Sequence, residues 1–225
     1  MPRRRATCHH EAGHAFVRWF FGFRTDRAVV QTGEEIRAGK RLRGRDGGLF
    51  TCHGMVSGEP IHEWPFRPWP LAGSPEQQAA GLRWWTYRRD VELIHCYAGF
   101  HAEAHYQRVD PTAAMLGGGG ADMERFSAIM EGWSLDKAAR SELEAKVDAW
   151  TRGLVRSPLG SAAIQAVASA LMARGRLSGA QIAILCRQTY GGRECAFEAW
   201  ATCWPPTMAQ IRAGYIPERS AMAAA

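Results

Sequence analysis

Six cysteines are few for a chain of 225 residues, and no two of them (8, 52, 96, 186, 195 and 203) form a CxxC pair. They read as ordinary reduced thiols, not as a disulfide framework. No hydrophobic run is long enough to span a bilayer; the longest, residues 159–172, is short and rich in Ala, Gly and Ser. The basic N-terminus is not followed by a signal segment, because residues 8–14 (CHHEAGH) interrupt any apolar stretch. A soluble, cytoplasmic protein without a membrane segment is expected. The glycine run 117–120 lacks the Lys-Ser/Thr of a Walker A loop, and no such loop occurs elsewhere. Nor is there a dinucleotide loop, a legible Ser/His/Asp arrangement, an internal repeat or a clean interdomain linker.

Charge of neither sign dominates. Lys and Arg number 28 against 22 Asp and Glu, for a net charge of +6. That balance favours solubility and says little about partners. The densest basic stretch, residues 37–45 (RAGKRLRGR), carries no interleaved aromatic, so it reads as a solvated loop and nucleic acid is not an expected partner. Hydrophobic residues at 46% and charged residues at 22% exclude a largely disordered chain.

The pattern is mainly α with a small β-sheet. A helix is predicted over 3–21, and strands over 27–31 and 49–56. Residues 59–75 hold five prolines and two tryptophans and read as a loop. Ser74 and Pro75 suit a helix start, with one or two helices running to about 108. Residues 110–120 read as a break, followed by a helix over 122–131. Ser134, Ser157-Pro158 and the capping box at Ser178 open three more.

His10-Glu11-Ala12-Gly13-His14 is an HExxH motif. On a helix, His10 and His14 lie one above the other and can bind the same zinc, while Glu11 reaches a metal-bound water without being a ligand. Ala12 and Gly13 would let another backbone or a substrate approach closely. His9 points about 100° away and reads as surface. His101 and His105 are also an i, i+4 pair but lack an adjacent Glu, so they read as a solvated face. Asp122, opening a helix after four glycines, is on the residues alone either an N-cap or a metal ligand.

HEAGHA resembles the zinc helix of the peptidase domain of the FtsH-type ATP-dependent zinc metalloproteases. Two later segments agree in order. Residues 94–104 (IHCYAGFHAEA) are similar to the family's LxGRAAEE helix, and residues 117–127 (GGGGADMERFS) to its TGASNDLERAT segment. Residues 170–182 (ALMARGRLSGAQI) are a weaker echo of its closing LLExETLxGEEI. The resemblance implies an HExxH-helix zinc metallopeptidase domain over residues 1–204, with a Pro-punctuated tail at 205–225. It implies His10, His14 and Asp122 as zinc ligands, Glu11 as the general base, and Glu103 as a hydrogen-bonding partner of a ligand histidine. The implied activity is hydrolysis of peptide bonds in unfolded or flexible protein segments. The substrate is expected to lie extended along an edge strand such as 49–51.

Two departures from the family stand out. Phe100-His101 replaces the family's Arg, and the Pro/Trp-rich stretch lengthens the path from zinc helix to Asp122. Without a Walker A loop, any ATP-driven unfolding is expected from a separate unfoldase. A catalytically inactive peptidase-like binding module is the alternative, with a nucleic-acid-binding regulator behind it.

Overall fold

Helix α1 (Pro2–Phe20) is the axis of the molecule. In the computed structural model, which describes residues 2–44, 47–62 and 73–190, every residue from 8 to 20 is buried. A helix covered on all sides must find internal partners for its polar side chains. For α1 these are His9, His10, Glu11, His14 and Arg18.

Helix α1 packs against α3 (Pro75–Gln107) and α7 (Pro158–Arg174), and α3 also against α4 (Pro111–Gly118), α5 (Gly120–Gly132) and α6 (Lys137–Arg156). The core lies between them, around Phe16, Phe20, Leu93, Ile94, Leu154 and Leu171. The chain is therefore mainly helical with a small antiparallel sheet. That sheet has the order β4-β1-β5, with β1 (Thr25–Val30) between β4 (Gly54–Gly58) and β5 (Arg176–Ser178). A separate ribbon pairs β2 (Leu42–Arg43) with β3 (Leu49–Phe50). Between β1 and β2 lies the short helix α2 (Gly33–Arg37), and α8 (Gly179–Thr189) follows β5. Among the described residues, no helix is long and apolar enough to cross a membrane.

Several helix starts follow the capping chemistry read from the sequence. Ser74 and Gln77 form a capping box ahead of Pro75, Ser157 caps α7 ahead of Pro158, and Ser178 and Gln181 cap α8. Four segments differ from expectation. Residues 49–56 are not one strand, because 51–53 turn between β3 and β4. Residues 111–118 are helical, since Asp110 accepts from the Thr112 N–H and Pro111 starts α4. Ser134 has φ 49 and lies in a turn, while Asp136 caps α6 by accepting from the Ala139 N–H. Thr32 and Glu35 cap α2, whose five residues are too few for periodicity to reveal. The Pro/Trp-rich stretch at 63–72, Cys195, Cys203 and the tail at 205–225 lie outside the described residues.

The second histidine pair is not a solvated face. His105 is exposed, but His101 is 1% exposed, and its Nε2 meets Asp148 Oδ1 of α6 at 2.9 Å. Burial holds this imidazole below its ordinary range, although Asp148 favours the charged form. The unfolded chain therefore binds this proton more readily than the folded one. Stability from this group is complete above the unfolded value near 6.5 and is lost as pH falls toward the lower folded value. The thermal midpoint is expected to drop more steeply below about pH 6.5 in wild type than in His101→Gln. Parallel profiles would show that His101 titrates normally in the fold.

Candidate metal centre

Two glycines set the distance between α1 and α3. A Cβ on Gly13 would lie 2.4 Å from the Ala98 carbonyl oxygen, so α1 crosses α3 at backbone contact. From the other side, a Cβ on Gly99 would lie 2.4 Å from His14 Nε2 and 2.5 Å from His10 Nε2. The imidazoles of His10 and His14 thus fill the notch that Gly99 leaves. Asp122, in the first turn of α5, closes the third side. Its Oδ2 lies 3.1 Å from His10 Nε2 and 3.3 Å from His14 Nε2, and the two Nε2 atoms are 3.1 Å apart.

The outer ring nitrogens fix the tautomers. His14 Nδ1 lies 2.9 Å from the His95 carbonyl oxygen, which can only accept, so Nδ1 carries the proton. His10 Nδ1 lies 3.2 Å from Glu103 Oε2 and donates to that carboxylate, whose Oε1 accepts from Gln107. Both Nε2 atoms of the neutral rings then present lone pairs to each other and to a carboxylate oxygen. Three acceptors within 3.3 Å of one another repel unless a cation joins them. Without a metal that cation is a proton. Burial opposes charging His10, but Asp122, Glu103 and Glu11 outweigh it and push its pKa up to about 10. Burial likewise opposes charging Asp122, but His14 and His10 hold its carboxyl well below the usual carboxylate range.

The same arrangement suits a divalent metal. Bonds of about 2.0–2.1 Å at tetrahedral angles separate ligand atoms by roughly 3.3 Å. The three atoms here match that spacing, and His10, His14 and Asp122 form the metal-capable cluster among the described residues. Two imidazoles and one carboxylate are a zinc-type donor set that leaves a fourth position open.

Glu11 is buried beside this cluster, and a Cβ on Gly54 at the start of β4 would lie 2.5 Å from its Oε1. Burial pushes the Glu11 carboxyl up, while His10 and His14 pull it back. A cavity of about 650 Å³ opens over these residues, with Met55 and Val56 of β4 on one wall and Gly117, Gly118 and Ala121 on another. β4 pairs with β1 and is an outer strand of its sheet among the described residues. The strand beside Glu11 is thus β4 and not 49–51, which belong to the β2–β3 ribbon and the turn after it.

All five residues named from the sequence meet here: His10, Glu11, His14, Asp122 and Glu103. Asp122 is not the N-cap. Gly119 holds that position, and the Asp122 carboxylate faces the histidines. His9 is not at the surface; it is buried, stacked on Tyr106 at 3.8 Å with Nε2 3.0 Å from Gln165 Oε1. Sequence reasoning missed His95, whose ring lies 4.7 Å from that of His14 and whose Nε2 is buried without a hydrogen-bond partner. It also missed the notch at Gly99. The signal was the four-residue spacing of His95, Gly99 and Glu103, which places all three on one face of α3. Arg125, one turn beyond Asp122, bonds the buried Glu92 of α3 and ties α5 in place.

Phe100 and His101, the pair at which the sequence departs from the expected pattern, are both buried. Phe100 packs on Tyr97, which in turn packs on Phe126, and His101 pairs with Asp148. No family model matches the chain, and no curated protein is significantly similar to it in sequence.

Proposed function

We propose that this chain is a zinc metalloendopeptidase of the FtsH type, acting on unfolded or flexible protein segments. The convergence of His10 Nε2, His14 Nε2 and Asp122 Oδ2, with both imidazole protons directed outward, carries this reading. His10, His14 and Asp122 would hold the ion. Zinc, when bound, polarises a carbonyl and acidifies water at neutral pH.

The protein's own residues supply the rest. Glu11 takes the proton of the attacking water. The water oxygen adds to the scissile carbonyl carbon, the C–N bond breaks, and Glu11 returns the proton to the leaving amine nitrogen. Its burial supports this role, because a carboxyl pushed upward is a better proton acceptor and donor near neutral pH. Glu103 and the His95 carbonyl orient the two imidazoles, as partners of ligand histidines commonly do. The outer position of β4, with Gly54 beside Glu11, suits an extended peptide that would add as a strand there. Phe100 and His101 pack inward and do not line the cavity.

Metal content by mass spectrometry tests the centre. About one zinc per chain is expected in wild type after purification without chelators, and almost none in His14→Ala. Zinc-loaded wild type is expected to cleave a chemically unfolded protein and to stop on chelation. No zinc in wild type, even when offered back, would overturn the reading.

A further inference from the structure

The basic stretch at 37–45 plays no part in the chemistry above, yet its Gly39 and Lys40 line the cavity, and its arginines flank that lip without lining it. Ile36, Gly39, Lys40 and Phe50 line the opening. The lip is held in shape. Buried Gln31 donates from Nε2 to the Lys40 carbonyl at 2.8 Å, and Arg41 Nη2 donates to the Leu49 carbonyl at 3.0 Å. Arg27 bonds the Arg43 carbonyl, and the Thr32–Glu35 capping box fixes α2. Arg37, Lys40, Arg41 and Arg43 are all exposed, and Arg3 of α1 lines the cavity from across the gap. The acidic residues described on the lip are Glu34 and Glu35, and Glu35 already pairs with Lys40. Between the charges, Ile36 and Phe50 are 37% and 46% exposed.

A ligand that touches Ile36 and Phe50 is already inside the cleft that holds Glu11. That geometry suits a chain threading the cleft better than a flat surface pressed on the outside. Charge complementarity then decides the kind of chain. We propose that the lip selects polypeptide segments with acidic residues flanking an apolar residue next to the scissile bond. This rests on the metallopeptidase reading and names its substrate class.

The test measures binding of two labelled peptides to the full chain carrying Glu11→Gln. The peptides share an apolar centre and are flanked by Asp/Glu in one and Lys/Arg in the other. The acidic peptide is expected to bind at least about tenfold tighter at low salt, with the advantage shrinking as salt screens the lip. Arg37→Glu with Arg43→Glu is expected to reverse the preference while zinc content stays the same. If that pair fails to fold, Arg37→Gln with Arg43→Gln is expected to shrink the preference. Equal affinities, a preference indifferent to salt, or one untouched in folded variants would overturn the proposal. So would tight binding to phosphatidylserine vesicles with no discrimination between the peptides. Absence of zinc and cleavage in wild type sinks the metallopeptidase reading itself, whereas equal affinities with cleavage intact sink only the role of the lip.

Discussion

Glu11→Gln is expected to lower kcat on an unfolded protein by at least about a hundredfold while the chain keeps its zinc. The substitution preserves shape and burial and removes only the capacity to accept a proton. Glu11 stands apart from the three converging ligand atoms, so the metal should stay. Its carboxyl is buried against the start of β4, where the Gly54 backbone leaves no room for a side chain. A peptide laid along β4 would therefore bring its carbonyl to the same carboxylate. Peptide binding, read by anisotropy, should persist in the variant, which separates the loss of proton transfer from a loss of the groove. The acid limb of the kcat/KM profile in wild type should report ionisation of the free site, and residual activity in the variant should lack a limb from Glu11. Cleavage at the wild-type rate would remove Glu11 from the chemistry. Zinc bound in wild type with no turnover on any unfolded protein would instead make the module a binding protein.

The parts of this site that were legible in the sequence are those where spacing fixes geometry. HExxH on a helix puts two imidazoles on one face whatever surrounds them. Caps at Ser74, Ser157 and Ser178 were legible for a similar reason, because a hydroxyl before a helix satisfies donors within three residues. What could not be read depends on partners distant in sequence. Asp122 follows four glycines, and only the position of α5 against α1 decides between cap and ligand. His9 and His101 look polar and solvated along the chain, but α7 and α6 cover them. The strand expected at 49–56 failed because alternation does not show where residues 51–53 turn away from one pairing and into another. The short β5 is set by its pairing with β1, while α2 is held by its own Thr32–Glu35 capping box and is too short for periodicity to show.

Gly99→Ala is expected to cost the centre its metal without touching a ligand. The added Cβ would sit 2.4–2.5 Å from both Nε2 atoms, well inside van der Waals contact. The imidazoles cannot simply withdraw. His14 is anchored through Nδ1 to the His95 carbonyl, and His10 to Glu103, both on the same helix that carries the new methyl. The packing of α1 against α7 opposes its backing away from α3 as a unit. The rings must rotate, which misdirects their lone pairs, and zinc affinity should fall by about 10–100-fold or more, the range seen when partners of ligand histidines are lost. Alanine in a helix interior would by itself gain about 1 kcal/mol over glycine, so weaker metal binding cannot be blamed on a poorer helix. Gly120→Ala is the control, since its Cβ would meet nothing within 4 Å, and it should retain full zinc. Competition with a chromophoric chelator reads both affinities. If Gly99→Ala binds zinc as tightly as wild type, the two imidazoles do not converge at the notch, and the metal centre as drawn here is wrong.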